Sequence, residues 1–398
     1  MRRSWPVVAG LATVPAAANG LGRFGYGLVL PAMQHALGWS AFAAGSVGAA
    51  NTAGYLLGAL GADRAVARLG ARRSVLGALL VASAAVAGCA TTSRLPLVLI
   101  LRLVNGLAAA IAFVAGAVVV VRLADREPPR VAGRWLGLYF AGPGLGIAVS
   151  AATVSGAGDW RRAWLELGGA SAVALAVSAL ALRSAPAGPG PIRGRARWDA
   201  RSVAAVTASY GIFGAGYIAF MTFVVAYLRT TRHTSTASIT AFWFLLGAGG
   251  VIIGVTLMAR LASTRGGRGV ALLTALTAAG SALPLVSGAL PVLLLAAGLF
   301  GCFFSVSAAA TAAVRARLPA EQWPAAIAGI TAAFGLGQCL GPLLSGALSD
   351  GPSGLRAGLL TGSALLVAGA ACALLQPVEV SRSDVVRGDE RSRSDRAT

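Results

Sequence analysis

Apolar runs of roughly 18 residues or more recur along this chain of 398 residues, parted by short connectors rich in Arg, Gly and Pro. A helix of about 20 residues spans the hydrocarbon of a bilayer, so runs of this length read as membrane spans. They fall at 6–31, 42–62, 74–91, 95–121, 132–156, 162–182, 202–228, 238–259, 269–287, 291–314, 325–349 and 356–376. The pattern predicts an all-α membrane protein with twelve transmembrane helices. With 57% hydrophobic and only 12% charged residues, a water-soluble domain of this size is excluded.

The formal net charge of +20 raises nucleic acid as a partner, and the placement of the charge argues against it. All 33 basic residues are arginines; 25 fall in connectors or tail on the side of the termini, six on the opposite side and two inside spans. Such a bias sets orientation by the positive-inside rule, which puts both termini in the cytoplasm of a bacterial-type cell with an inner membrane. The N-terminal "MRRSWPVVAGLATVPAAANG" has the charge and small residues of a signal peptide. The apolar pattern runs on through Pro31 and eleven spans follow, so retention as the first helix is expected. Cys89, Cys302, Cys339 and Cys372 lie in spans without metal or redox spacing, and no metal or cofactor is expected.

The most polar internal stretch, "RSAPAGPGPIRGRARWDARS" at 183–202, has linker composition. It divides the chain into six-helix bundles at 1–183 and 202–376, with a cytoplasmic linker at 184–201 and a disordered tail at 377–398. Internal echoes support the division. "GYGLVLP" from Gly25 is matched by "GYIAFMT" from Gly216, and Gly142-Pro143 by Gly341-Pro342, at nearly one offset. A glycine beside a helix breaker in spans 5 and 11 reads as a bend or as close packing.

Two six-helix halves joined by a basic linker resemble the major facilitator superfamily. The motifs agree, with departures. "GADRAVARLGARR" is similar to the family's G-x-L-A-D-R-x-G-R-R loop, matching at Asp63, Arg64, Gly70, Arg72 and Arg73 but with extra residues before Gly70. "RLVNGLAAA" from Arg102 is close to R-x-x-Q-G-x-G with Asn105 for the glutamine, and "GPGLG" from Gly142 is like an exporter motif. "GRFGYGLVLPAM", "ANTAGYLLGAL" and "FGLGQCLGPLL" look like the bacterial YbfB/YjiJ-like branch. The resemblance implies alternating access about a midplane site lined by spans 1, 4, 7 and 10. It also implies a latch or gate at Asp63 and the neighbouring arginines; the plainer reading of that loop is topology alone.

Inside the spans the informative residues are Arg23 and Arg102. Each costs about 3 kcal/mol on insertion scales, which makes a functional reading the default. From helix rise they lie roughly 7 Å and 9 Å outside the midplane of spans 1 and 4, at one depth. Of 13 acidic residues, twelve lie in connectors or tail, and the other, Glu166, sits about one turn into span 6. Two fixed cations without a carboxylate attract an anion. The expected cargo is therefore a small organic anion, with or without an aromatic part. Tyr26 and Tyr217 offer donors or stacking faces, Asn19, Asn51, Asn105 and Gln338 offer neutral hydrogen bonds, and Tyr139 aligns with Gln338. The alternative is that Arg102 bonds carbonyls of a neighbouring helix and Arg23 snorkels outward.

Proton coupling would have to use Glu166, a proton carried on the substrate, or Arg102 acting through a water network, since an arginine does not titrate near neutrality. Exchange needs no proton. The expected partners are a small-molecule substrate, H+ as a coupling ion and membrane lipid, and a monomer suffices. Three rivals remain: a proton-linked multidrug or natural-product efflux pump, a non-transporting sensor and a polytopic membrane enzyme. The first is favoured by the Gly-Pro segment and disfavoured by the missing acidic trap for cations; the sensor lacks an output domain, and the enzyme a catalytic cluster.

Overall fold

Backbone in hydrocarbon must satisfy its own hydrogen bonds, so each apolar run is driven to a helix. The computed structural model describes residues 5–154, 159–184, 198–256 and 266–377, and these are helical apart from short turns. Twelve helical stretches follow one another among the described residues. α1 occupies 5–37 and is composite: Trp5–Leu11, Thr13–Pro15, a π-helical Ala16–Phe24, then Tyr26–Leu37. Next come α2 (Ala41–Leu69), α3 (Ala71–Gly88, ending in the 3₁₀ turn Cys89–Thr91), α4 (Leu95–Ala124), α5 (Pro129–Thr153) and α6 (Trp160–Arg183). The second set is α7 (Ala204–Thr230), α8 (Thr236–Thr256), α9 (Arg268–Val286), α10 (Leu290–Phe300 and Phe303–Arg317), α11 (Trp323–Ser349) and α12 (Gly354–Leu374).

Among the described residues nine stretches are each long and apolar enough to cross a membrane. The others are α1, α2 and α8, the last apolar over Thr236–Gly249. Two boundaries differ from the hydropathy reading. α2 runs on to Leu69 and α3 begins at Ala71, so most of the expected loop around Asp63 is helix. Hydropathy marks where hydrocarbon ends, whereas a helix continues into the headgroups. Only Gly70 separates the two helices; its φ of 79° is open to glycine and costly for other residues. The expected linker and tail lie almost wholly at 185–197 and 378–398, outside the described residues, as do 155–156 and 257–259 of the expected spans 5 and 8.

Local chemistry fixes the helix ends. Ser40 caps α2, its hydroxyl accepting from Ala43 N (3.1 Å), and Asp159 caps α6 through Arg161 N (2.9 Å). Gly38, with φ 64°, turns the chain out of α1. Pro96 and Pro291 sit in the first turns of α4 and α10, where no amide partner is lost.

Small residues let backbones touch. A Cβ on Gly54 or Gly58 of α2 would collide with the Leu103 or Leu107 carbonyl of α4, and one on Gly106 of α4 with the Asn51 carbonyl of α2. The first six helices meet the last six along three seams: α2 with α11, α5 with α8, and α1 with α7. The close contacts of these seams lie toward the face that carries the α1–α2 turn. Gly27 backs onto the Met221 carbonyl, Gly45 onto the Pro342 carbonyl, and Trp243 Nε1 donates to Ser150 Oγ (3.2 Å). At that face Asp350, just beyond α11, accepts hydrogen bonds from Ala41 N (2.6 Å) and Phe42 N (2.9 Å), the first amides of α2. A carboxylate on a helix N-terminus satisfies orphan donors and opposes the positive end of the helix dipole.

Candidate functional site

The middle of α1, which carries Arg23, is π-helical. Hydrogen bonds to the fifth residue widen the helix over Ala16–Phe24, and such turns frequently mark functional positions. Asn19, Gly20, Gly22 and Arg23 all lie in this stretch. The neighbouring Gly20 lies against Gly146 of α5.

Arg23 and Arg102 line one cavity, together with Phe24, Tyr26 and Gly27 of α1 and Gly48 and Thr52 of α2. Its remaining wall is Ile218, Met221 and Thr222 of α7. Among the described residues no acidic side chain lines it. In this state it has room for about one water molecule, so a larger solute enters only when the walls part.

Arg102 is fully buried. Its Nη1 donates to the Gly22 carbonyl and, at 3.4 Å, to Asn105 Oδ1. Its Nε and Nη2 have no hydrogen-bond partner among the described residues. The guanidinium stands 5.4 Å from the Tyr26 ring and 5.3 Å from Trp164, and these two rings stack at 5.9 Å. Arg23 is 9% exposed; its Nη2 donates to Thr52 Oγ1 (3.1 Å), its Nε is unpartnered, and it faces the Tyr55 ring at 5.3 Å. Aromatic faces and carbonyl oxygens partly offset a buried cation without neutralising it. The cavity therefore keeps two positive charges and unused donors.

Of the residues singled out by sequence, Tyr26 joins the arginines; its hydroxyl donates to the Ala44 carbonyl (2.8 Å). Asn19 is buried in the π-helical stretch and does not line the cavity among the described residues. Asn51 and Asn105 bind helices together: Asn51 Nδ2 donates to Asn105 Oδ1 (2.7 Å) and to the Arg102 carbonyl (3.1 Å), and Asn105 Nδ2 to the Ala82 carbonyl (3.2 Å). Tyr217 accepts from Gln338 Nε2, and both are buried. Tyr139 lies off the cavity, donating to the Phe113 carbonyl (2.6 Å). Glu166 is half-buried on α6, where Arg162 Nε donates to its Oε1 at 2.9 Å and its buried Oε2 has no partner among the described residues.

Gly142 packs on Ala12 and Pro15 of α1, and Gly341 on Ala215 of α7, while α5 and α11 continue as helix through Pro143 and Pro342. Asp63 and Arg64 are exposed on α2, and Arg72 and Arg73 are exposed in the first turn of α3. Cations are disfavoured at a helix N-terminus, so helix stability does not account for those two.

Sequence reasoning missed Thr52, Met221 and the Asp350 contact. Thr52 follows Asn51 directly, and a hydroxyl one position along a cavity-facing helix was the available signal. Asp350 has no such signal, because its partner lies 309 residues away.

A family profile described as "Uncharacterised MFS-type transporter YbfB" matches residues 16–374. No curated protein matches the chain. A bacterial homologue of the human lysosomal transporter Spinster, solved inward-facing and unoccupied, is 16% identical with a TM-score of 0.70, over 94% of this chain and 96% of that one. A point mutant of the nucleoside transporter NupG is 13% identical with a TM-score of 0.72, over 93% and 99%. The human organic anion transporter MFSD10 (TETRAN) is 17% identical with a TM-score of 0.61, over 93% and 99%. At these identities the likeness is one of fold.

Proposed function

Since the chain belongs to the YbfB-type family of major facilitator superfamily transporters, we propose that its cargo is a small organic anion held by Arg23 and Arg102 and moved by alternating access. One observation carries the reading. Among the described residues two buried guanidiniums share a cavity that no carboxylate lines, and three of their nitrogens have no partner. A buried charge is tolerated when paired, and here the missing partner is supplied by the substrate. The structural alternative accounts for Arg102 Nη1 on the Gly22 carbonyl and leaves the other nitrogens idle. That one fold relative is named an organic anion transporter adds nothing at 17% identity.

In the positive-inside orientation both termini face the cytoplasm of the inner membrane, the Asp350 face is external, and the described state is shut outside. Asp63 with Arg64, Gly70, Arg72 and Arg73 then belongs to the inner gate. Among the described residues Glu166 does not line the cavity, and its Oε1 is bonded to Arg162, which favours exchange or a substrate-borne proton over a relay through it. Efflux of cationic drugs would need a carboxylate in the cavity, and its lining has none.

The test is binding by purified Arg23→Gln and Arg102→Gln proteins to carboxylates and to neutral analogues. Each loss removes a charge-assisted hydrogen bond, so carboxylate affinity should fall on the order of tenfold or more while neutral analogues are unaffected. Unchanged carboxylate affinity in both variants would sink the assignment.

A further inference from the structure

The cation-bearing wall and the wall opposite it differ in kind. Both arginines come from the first six helices, whereas the last six contribute Ile218, Met221 and Thr222. Among the described residues the Thr222 hydroxyl is the only polar side-chain group of that wall, and it donates to the Ile218 carbonyl at 2.7 Å. A polyol, a second carboxylate or a phosphate body would find neither a cation nor a free donor there, and burying unpaired polar groups is costly.

Behind this wall stand flat rings. Phe24, on the cavity, meets Phe303 edge-on with centroids 6.1 Å apart. Tyr217 stacks on Phe303 at 5.2 Å with planes 20° apart, and on Phe334 at 5.7 Å with planes 6° apart. The Tyr217 oxygen is occupied by Gln338, and its ring belongs to a stacked cluster with Phe303, Phe334 and Phe213. When the walls part to admit a solute, displacement of Phe24 uncovers the Phe303 ring that it meets.

We propose that the cargo is a monocarboxylate with a flat, apolar body, an aromatic carboxylate in class. Its head lies on Arg23 and Arg102 and its body against Met221 and the Tyr217–Phe303 rings. The proposal rests on the anion reading above and adds that the second half of the molecule reads the body. A phenyl ring moved from water onto such faces contributes through apolar burial and stacking.

The experiment is calorimetric titration of the purified full chain with benzoate, acetate, succinate and benzyl alcohol at one ionic strength. Benzoate should bind at least about tenfold more tightly than acetate or succinate. Phe303→Leu and Met221→Gln should each narrow that gap, and Arg102→Gln should weaken benzoate and acetate alike. Equal affinity for benzoate, acetate and succinate overturns the proposal and leaves the anion reading standing, as does absence of benzoate binding where another carboxylate binds. Benzyl alcohol binding as tightly as benzoate, with neither affected by Arg23→Gln or Arg102→Gln, overturns the anion reading itself. The ligand comparison uses unaltered protein, so a variant that fails to fold does not leave the question open.

Discussion

The first six helices and the last six repeat one another in how they pack and differ in what they offer the cavity. Gly142 lies against the first helix of its half and Gly341 against the first helix of the other, at a sequence offset that also joins the two Gly-Pro pairs. Tyr26 and Tyr217 occupy echoing positions as well. Chemistry diverges on this common frame. Where α4 carries Arg102, the corresponding place on α10 is Leu299, and in the same register Gly106 answers to Phe303. One half holds charge among asparagines and carbonyls, the other stacks rings. Packing constrains both repeats alike, whereas a substrate with unlike ends needs unlike walls.

The largest effect expected from breaking this comparison lies at Gly106. A β-branched side chain there would be driven into the Asn51 carbonyl, forcing α4 from α2 and carrying Arg102 out of place. Gly106→Val should cost on the order of 3 kcal/mol, seen as a markedly lower melting temperature in detergent. Gly298→Val, on α10, meets nothing within 4 Å and should melt almost as the parent does. If both variants melted together, the tight α2–α4 contact would not be what holds the charged wall.

The frame of the molecule was legible in sequence because hydrophobic length is a local property: every expected span holds a helix in its described part. The pairing of Arg23 with Arg102 was legible too, since depth follows from helix rise alone. What escaped depends on the third dimension. Asn51 and Asn105, polar and inside spans, look like ligands in sequence, and in the fold they fasten helices. The π-helical stretch leaves no pattern that differs from ordinary helix among alanines and glycines. The Asp350 contact requires knowing that α11 ends beside the start of α2.

That contact gives the second prediction, of intermediate size. The carboxylate spans the α2–α11 seam and satisfies two amides of the opposite half, so removing its charge should loosen the face that carries the α1–α2 turn. Asp350→Asn should raise the rate at which an impermeant thiol reagent labels Thr222→Cys in the cavity, by about fivefold for the loss of one charged clasp on a helix end. Labelling at the parent rate would mean that the glycine and proline contacts of the seam hold it shut unaided.

The smallest effect is expected from the acid in the echoing position. Asp159 precedes Asp350 by the same 191 residues that part Gly25 from Gly216. A symmetric molecule would use it to clasp the start of α8 across the α5–α8 seam. Instead Asp159 accepts from Arg161 N of its own helix, and the start of α8 is served by Ser235, whose hydroxyl accepts from Ser238 N at 3.2 Å. Asp159→Asn keeps a capping side chain, so its cost should be at most about 0.5 kcal/mol and labelling at Thr222→Cys should not change. Acceleration equal to that of Asp350→Asn would show the two seams to be equivalent gates. The predicted silence of Asp159 makes the α2–α11 seam the one whose closure is held by charge, and places that charge in the half of the molecule that brings no cation to the cavity.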